Sequence, residues 1–281
     1  MRAPSRLRQL AQPYRAAFAA RVMQMLQYRS AALAGFATQC WWGGIKVMVL
    51  SAFFGASASN APMSLTDAIT YTWIAQALLA LQPWVGDPEI AQAVRSGAVA
   101  YDRLRPVDVY ALWFVRGAGW IVARALPRAA LMLAFAALLL PLAGLSAWSW
   151  QPPADVPAAA LFAVSLGLSV LLSSALLMLI NITVLVTLND RGINVLMTPL
   201  VIVLSGNLLP LALFPDAAQT ALRWQPFAGL LDIPLRLYFG HLRGAEAAGG
   251  LGLQLFWIVV LVLLGRALLA RAWRTLEVQG G

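Results

Sequence analysis

Residues able to do chemistry are concentrated in one stretch. Residues 86–108 read GDPEIAQAVRSGAVAYDRLRPVD and place Asp87, Glu89, Arg95, Asp102, Arg103, Arg105 and Asp108 together, in a chain that is only 11% charged. A carboxylate followed by proline, as in Asp87-Pro88, starts a helix: the carboxylate accepts from unpaired N–H groups, and proline has no N–H to leave unpaired. Glu89 in the first turn favours the same helix through its dipole. Ile90, Ala93 and Val94 give it a small apolar face rimmed by charge, and Ser96-Gly97 ends it. Connections between helices are commonly only a few residues, so a charged segment of this length with its own helix is expected to sit in water and meet a soluble partner.

The remaining chemistry-bearing residues are isolated. Lys46, the only lysine, lies inside an apolar run, where a charge costs about 2.5–3.5 kcal/mol at a helix centre. It is a candidate pathway residue, with snorkelling to the outer headgroups as the plainer reading. Gly43 and Gly44 beside it let another helix approach closely, and Asn181, Thr183 and Thr187 suit hydrogen bonds between helices. The chain has one cysteine, Cys40, and one histidine, His241, which is too few for a disulfide framework or a metal cluster. There is no G-x-x-x-x-G-K-[ST]; Gly43-Gly-Ile-Lys46 lacks both the spacing and the hydroxyl. Nor is there a nucleophile with a positioned base. No catalytic residue, metal site or cofactor is expected in this chain. Asp67, Asp108, Asp155, Asp190, Asp216, Asp232 and Glu246 all fall at span edges or in loops, which disfavours an ion- or proton-coupled transporter or channel acting alone.

The surrounding elements are built for a bilayer. With 61% hydrophobic residues and a mean hydropathy of +0.75, the chain is read as an all-α membrane protein, because lipid excludes irregular spans and the apolar runs are continuous rather than alternating. Six spans are expected, near 31–54, 68–85, 121–145, 156–188, 193–213 and 250–269, each approaching the roughly 20 residues a crossing needs. Residues 1–30 hold six arginines and no acid; no short apolar core closed by a small-residue cleavage site falls before residue 31, so the segment is expected to be retained. From Pro13 onward, Tyr14, Phe18, Val22, Met25 and Leu26 recur at helical spacing, which predicts an amphipathic helix on the cytoplasmic membrane surface with Arg21 snorkelling from its apolar stripe. Residues 107–127, with Arg116, Arg124 and the following Arg128 on one face, are read as an interfacial helix leading into the third span. The proline-broken apolar loop 214–249 is read as short helices re-entering the outer membrane surface. The net charge of +9 is accounted for by arginines flanking spans rather than by nucleic acid, and their distribution puts both termini in the cytoplasm.

Three groups of residues resemble one family. Gly206-Asn-Leu-Leu-Pro210, then Phe214-Pro215 and Gln225-Pro226-Phe227, resemble the end of the fifth span in ABC-2 type permeases. Asp87-Pro-Glu-Ile90, Arg95-Ser-Gly97, Tyr101-Asp102 and Leu104-Arg-Pro106 resemble the coupling region of a bacterial branch, and Leu276-Glu-Val-Gln-Gly-Gly281 resembles its tail. The resemblance implies a six-span membrane subunit of an ATP-driven exporter in the bacterial inner membrane, dimeric with a second copy or a related permease. A separate ATPase subunit would bind the ATP and magnesium, and the cargo would be hydrophobic or amphipathic, such as a drug, lipid or polymer. It further implies an ATPase-coupling interface at Asp87, Glu89, Ile90, Arg95, Tyr101, Asp102 and Arg105, and an outer gate at Gly206, Pro210, Phe214 and Pro215.

The arginine asymmetry sets a test of orientation. Ser96→Cys is expected to react with an impermeant thiol reagent only from the cytoplasm and Ala218→Cys only from outside; the reverse pattern overturns it.

Overall fold

The computed structural model describes residues 6–27, 29–57 and 63–275, and every regular element among them is helical. In chain order these are α1 (Arg6–Leu26), α2 (Arg29–Ser57), α3 (Leu65–Ala77), α4 (Pro88–Arg95), α5 (Val109–Ala134), α6 (Leu140–Leu142), α7 (Val156–Thr187), α8 (Arg191–Leu204), α9 (Asp216–Trp224), α10 (Asp232–Tyr238) and α11 (Gly244–Thr275). A π-helical stretch at Phe135–Leu139 joins α5 to α6. It sits just before Pro141, whose missing N–H breaks the regular ladder.

Among the described residues, three segments are long and apolar enough to cross a membrane: Val109–Leu142, Val156–Thr187 and Gly244–Arg274, of 34, 32 and 31 residues. They mark the chain as a membrane protein, and each exceeds the roughly 20 residues a crossing needs, so each tilts or projects. Helix α7 is mostly buried and is the central post, packed by α5, α11, α10 and α4. Its apolar composition on every side suits that place. Asp155 caps its start, accepting from Ala158 N at 2.7 Å, and Leu188 ends it in a left-handed conformation, φ 56°.

Several expected boundaries are corrected. Helix α3 has 13 residues and gives way to a 3-10 turn at Leu79–Leu81, so the second run does not continue as helix to residue 85. The cause is local: Gln82 precedes Pro83 and is extended, ψ 137°, as a pre-proline residue prefers. Helix α8 stops at Leu204 rather than 213. Gly206 turns the chain with φ 87°, and Leu208 N returns to Ile202 O at 3.0 Å. No separate interfacial helix precedes the third span, because α5 runs unbroken from Val109, capped by Asp108. Helix α1 starts at Arg6, which puts Pro13 in its interior. Its Tyr14, Phe18, Val22 and Met25 are half-buried and the helix lies along α5, so these four face protein, while Leu26 of the same stripe is exposed. The loop 214–249 does fold into short helices: α9, a 3-10 turn at Pro226–Leu230, and α10, the last two packed on α7.

Gly43 shows how closely α2 and α3 pack. A Cβ there would lie 2.5 Å from the Trp73 ring, whereas one on Gly44 would meet nothing within 4 Å. Gly43→Val is therefore expected to cost about 1–3 kcal/mol of overpacking, measured as a lowered melting temperature in detergent, and Gly44→Val to leave melting unchanged. Equal effects would refute this packing.

Candidate docking site around the α4 helix

Helix α4 forms where its signals put it. Asp87 Oδ1 accepts from Glu89 N at 2.9 Å, Pro88 takes the first position, and Ser96 N donates to Gln92 O at 3.0 Å. Gly97, with φ 74°, then donates to Val94 O, the left-handed stop that favours glycine.

The helix uses its faces differently from the expectation. Ile90 and Val94 are buried in a cluster with Trp113, Met178, Ile182 and Leu185. The apolar face is thus spent on α5 and α7 and is not offered to a partner. Asp87 does not sit in water either: it is 0% exposed. Arg21 of α1, itself 4% exposed, donates from Nη2 to Asp87 Oδ1 at 2.8 Å. Its Nη1 donates to Glu89, which also accepts from Gln24 at 2.8 Å and from Arg116 of α5 at 2.8 Å. Asn181 of α7 accepts from Asp87 N at 2.9 Å, and Asn194 of α8 accepts from Gly86 N at 3.0 Å. Five helices meet at this node. Burial pushes the Asp87 carboxyl up, and Arg21 and Arg116 pull it back; burial pushes the Arg21 guanidinium down, and Asp87 opposes this. Arg21 therefore does not snorkel, and Glu89 is satisfied within the chain instead of being held for a partner.

The outward face is what remains for a partner. Tyr101 is 69% and Leu104 79% exposed, beside exposed Arg95 and Arg105. Arg95 reaches Asp190 at 3.3 Å across the surface. Asp102 is largely buried, accepting from Trp113 Nε1 at 2.9 Å and pairing with Arg105 at 3.2 Å. Of the expected interface residues, Arg95, Tyr101 and Arg105 are open to a partner; Asp87 and Ile90 are interior, and Glu89 and Asp102 hold internal bonds.

The other candidates lie elsewhere. Lys46 Nζ donates to Asn207 O at 2.7 Å, so it does not snorkel to the headgroups but ties α2 to the turn after α8. Tyr71 of α3 donates to Gly206 O at 3.0 Å, and a Cβ on Gly206 would fall 2.5 Å from that hydroxyl. Pro210, Phe214 and Pro215 follow in the turn leading to α9. Arg124 stacks over the Trp120 ring at 4.2 Å, and Arg128 lies where a Cβ on Gly35 of α2 would meet its guanidinium at 2.8 Å. These arginines thus serve helix packing. Thr183 and Thr187 bond to carbonyls of their own helix, while Asn181 bridges to the α4 segment. Asp232, expected in a loop, is 3% exposed at the start of α10, and burial pushes its carboxyl up to about 6 against the pull of Arg236 and Arg223. A buried knot of Ser165, Ser169 and Gln254 against Gly229 O carries no sequence signal, because its members come from three separate elements. No metal-ligand cluster occurs among the described residues. The tail motif at 276–281 lies outside them.

The Arg21–Asp87 pair gives a test. Arg21→Met leaves a buried carboxylate unpaired and is expected to cost about 3–5 kcal/mol. Asp87 in the variant is raised further. A carboxyl whose folded pKa is raised loses stability as pH rises through the window between its unfolded and folded values, so the deficit should be greatest at neutral pH and shrink on acidification. Adding Asp87→Asn should recover part of the loss. Denaturant titration of the chain in detergent at neutral and acidic pH measures this, and a pH-independent deficit would argue against the pair.

Comparison with known proteins finds no matching family, no matching curated protein and no matching solved structure.

Proposed function

We propose that this chain is the membrane-spanning permease subunit of an ATP-driven exporter, and that the outward face around α4 receives a separate ATPase. The observation that carries the reading is a solvent-facing patch of Tyr101, Leu104, Arg95 and Arg105 standing on a segment bonded to α1, α5, α7 and α8. Exposed tyrosine and arginine are the residue types that dominate protein–protein contacts. A patch held this firmly to spanning helices passes a partner's movement into the membrane.

In this reading α2, α3 with its 3-10 turn, and α8 complete a six-span unit with the three long helices. Both termini and α4 face the cytoplasm of a bacterial cell, and a second copy or a related permease completes the pathway. The Gly206–Pro210 turn, held by Lys46 and Tyr71, together with Phe214 and Pro215, forms the outer gate. ATP and magnesium belong to the ATPase, and the cargo is hydrophobic or amphipathic.

A second reading, an ion- or proton-coupled transporter or channel acting alone, draws on Asp232, a buried carboxyl that burial pushes up to about 6.

Affinity purification of the native chain from its own membranes distinguishes the two. An ATPase is expected to co-purify, and the pair Tyr101→Ala with Leu104→Asp should weaken its retention at least about tenfold, an effect of the size that central interface residues produce. Glu246→Gln, at the other end of the bundle, should leave it unchanged. Failure of any ATPase to co-purify, or equal retention by both variants, overturns the proposal. ATPase-free proton flux in liposomes that Asp232→Asn abolishes is the result expected of the second reading.

A further inference from the structure

An apolar chamber of about 450 Å³ lies between α3, α5, α7 and the connection ahead of α7. Ile74 and Leu78 form one wall, Ala125 a second, and Phe162 and Leu166 a third, with Trp150 among the lining residues. Its size falls in the range of about 300–1,000 Å³ found for ligand pockets. The only polar side-chain groups borne by its lining are the Trp150 indole N–H and the Tyr238 hydroxyl, and that hydroxyl already donates to Gln151 O. Water needs two to four polar partners to reside in a cavity, so it has no stable place here. Leaving the space empty would forfeit dispersion contacts along the whole wall.

The mouth decides what fills it. Leu126, 64% exposed, stands on one rim, midway along the 34-residue Val109–Leu142 segment. Gly167 of α7 stands on the other, where a Cβ would meet nothing within 4 Å. Both rims lie within helices long and apolar enough to span a membrane, so the opening is lateral and faces hydrocarbon. An alkyl chain enters from that side without losing hydration, whereas a charged headgroup finds no partner inside. We infer that the chamber binds one acyl chain of a bilayer lipid, inserted between Leu126 and Gly167. The inference rests on the membrane placement of α5 and α7 and not on an ATPase partner.

The test uses the full chain in nanodiscs of palmitoyl-oleoyl phosphatidylcholine doped with a phosphatidylcholine bearing a diazirine near the end of one acyl chain. After photolysis, mass spectrometry is expected to find label on Phe162 and Leu166 as well as on Val259 and Leu263, which are exposed on α11 and report ordinary lipid contact. Gly167→Trp closes the mouth and should lower the chamber label about tenfold, equivalent to about 1.4 kcal/mol, with the α11 label unchanged. Gly167→Ala is too small to close it and should label as the parent does. Leu126→Trp, from the opposite rim, gives the same reading if Gly167→Trp fails to fold. Chamber label that is absent in the parent, or indifferent to both tryptophans, overturns the inference. So does a chamber labelled by diazirine-bearing dodecane but not by the phosphatidylcholine, which would make the occupant a free apolar molecule.

Discussion

The arrangement of the described chain depends on the buried pairing of Arg21 with Asp87. Two charges withdrawn from water carry a desolvation penalty that only close geometry and additional hydrogen bonds offset. Here the geometry is close and the bonds are supplied in part: Arg21 reaches Asp87 Oδ1 at 2.8 Å and also Glu89, and Arg116 and Gln24 complete the set around Glu89, while Arg21 Nε and Asp87 Oδ2 are buried without a hydrogen-bond partner. Asp87 is simultaneously the cap that starts α4. The same carboxylate therefore ends the loop from α3, begins the helix and ties α1 to α4. A hydrophobic pair could fill this volume, but it would not specify which helix meets which.

Elsewhere polar groups are used in the same manner, sparingly and at breaks in the helices. The turn after α8 exposes carbonyls that α8 no longer satisfies. Lys46 and Tyr71 reach across from α2 and α3 to take Asn207 O and Gly206 O. On the far side of α7, Gln254 and Ser169 both donate to Gly229 O in the 3-10 turn before α10. A break in regular structure inside an apolar surrounding leaves backbone groups that must be paired, and at these two the carbonyls are taken by side chains from helices distant in sequence. Lys46, a charge within a largely apolar helix, is explained by this task.

The proposed docking patch and the lipid chamber sit on opposite uses of the same helices. Helix α4 turns its apolar face inward to α5 and α7, leaving a polar surface with Tyr101 and Leu104 standing out of it. Further along, α5 and α7 separate enough to leave the apolar chamber with its lateral opening. Helix α4 thus packs on the two helices that also form the rims of the chamber.

Much of the class and several local elements were legible in the sequence. Continuous apolar runs indicate membrane helices, and 156–188 closely matches α7 because its apolar run is unbroken, whereas the left-handed Leu188 that ends the helix carries no sequence signal. Asp87-Pro88 and Ser96-Gly97 bound α4, since capping depends only on neighbours along the chain. The tertiary structure alone decided which face each helix uses and with what. Periodicity places Arg21 on the stripe with Phe18 and Val22, but it is silent on whether that stripe meets lipid headgroups or α5. The burial of Asp87 depends on Arg21, 66 positions away, and the fate of Lys46 on Asn207, 161 positions away. A charge is stable inside only if a partner arrives from elsewhere, and that arrival is a property of packing, not of local sequence.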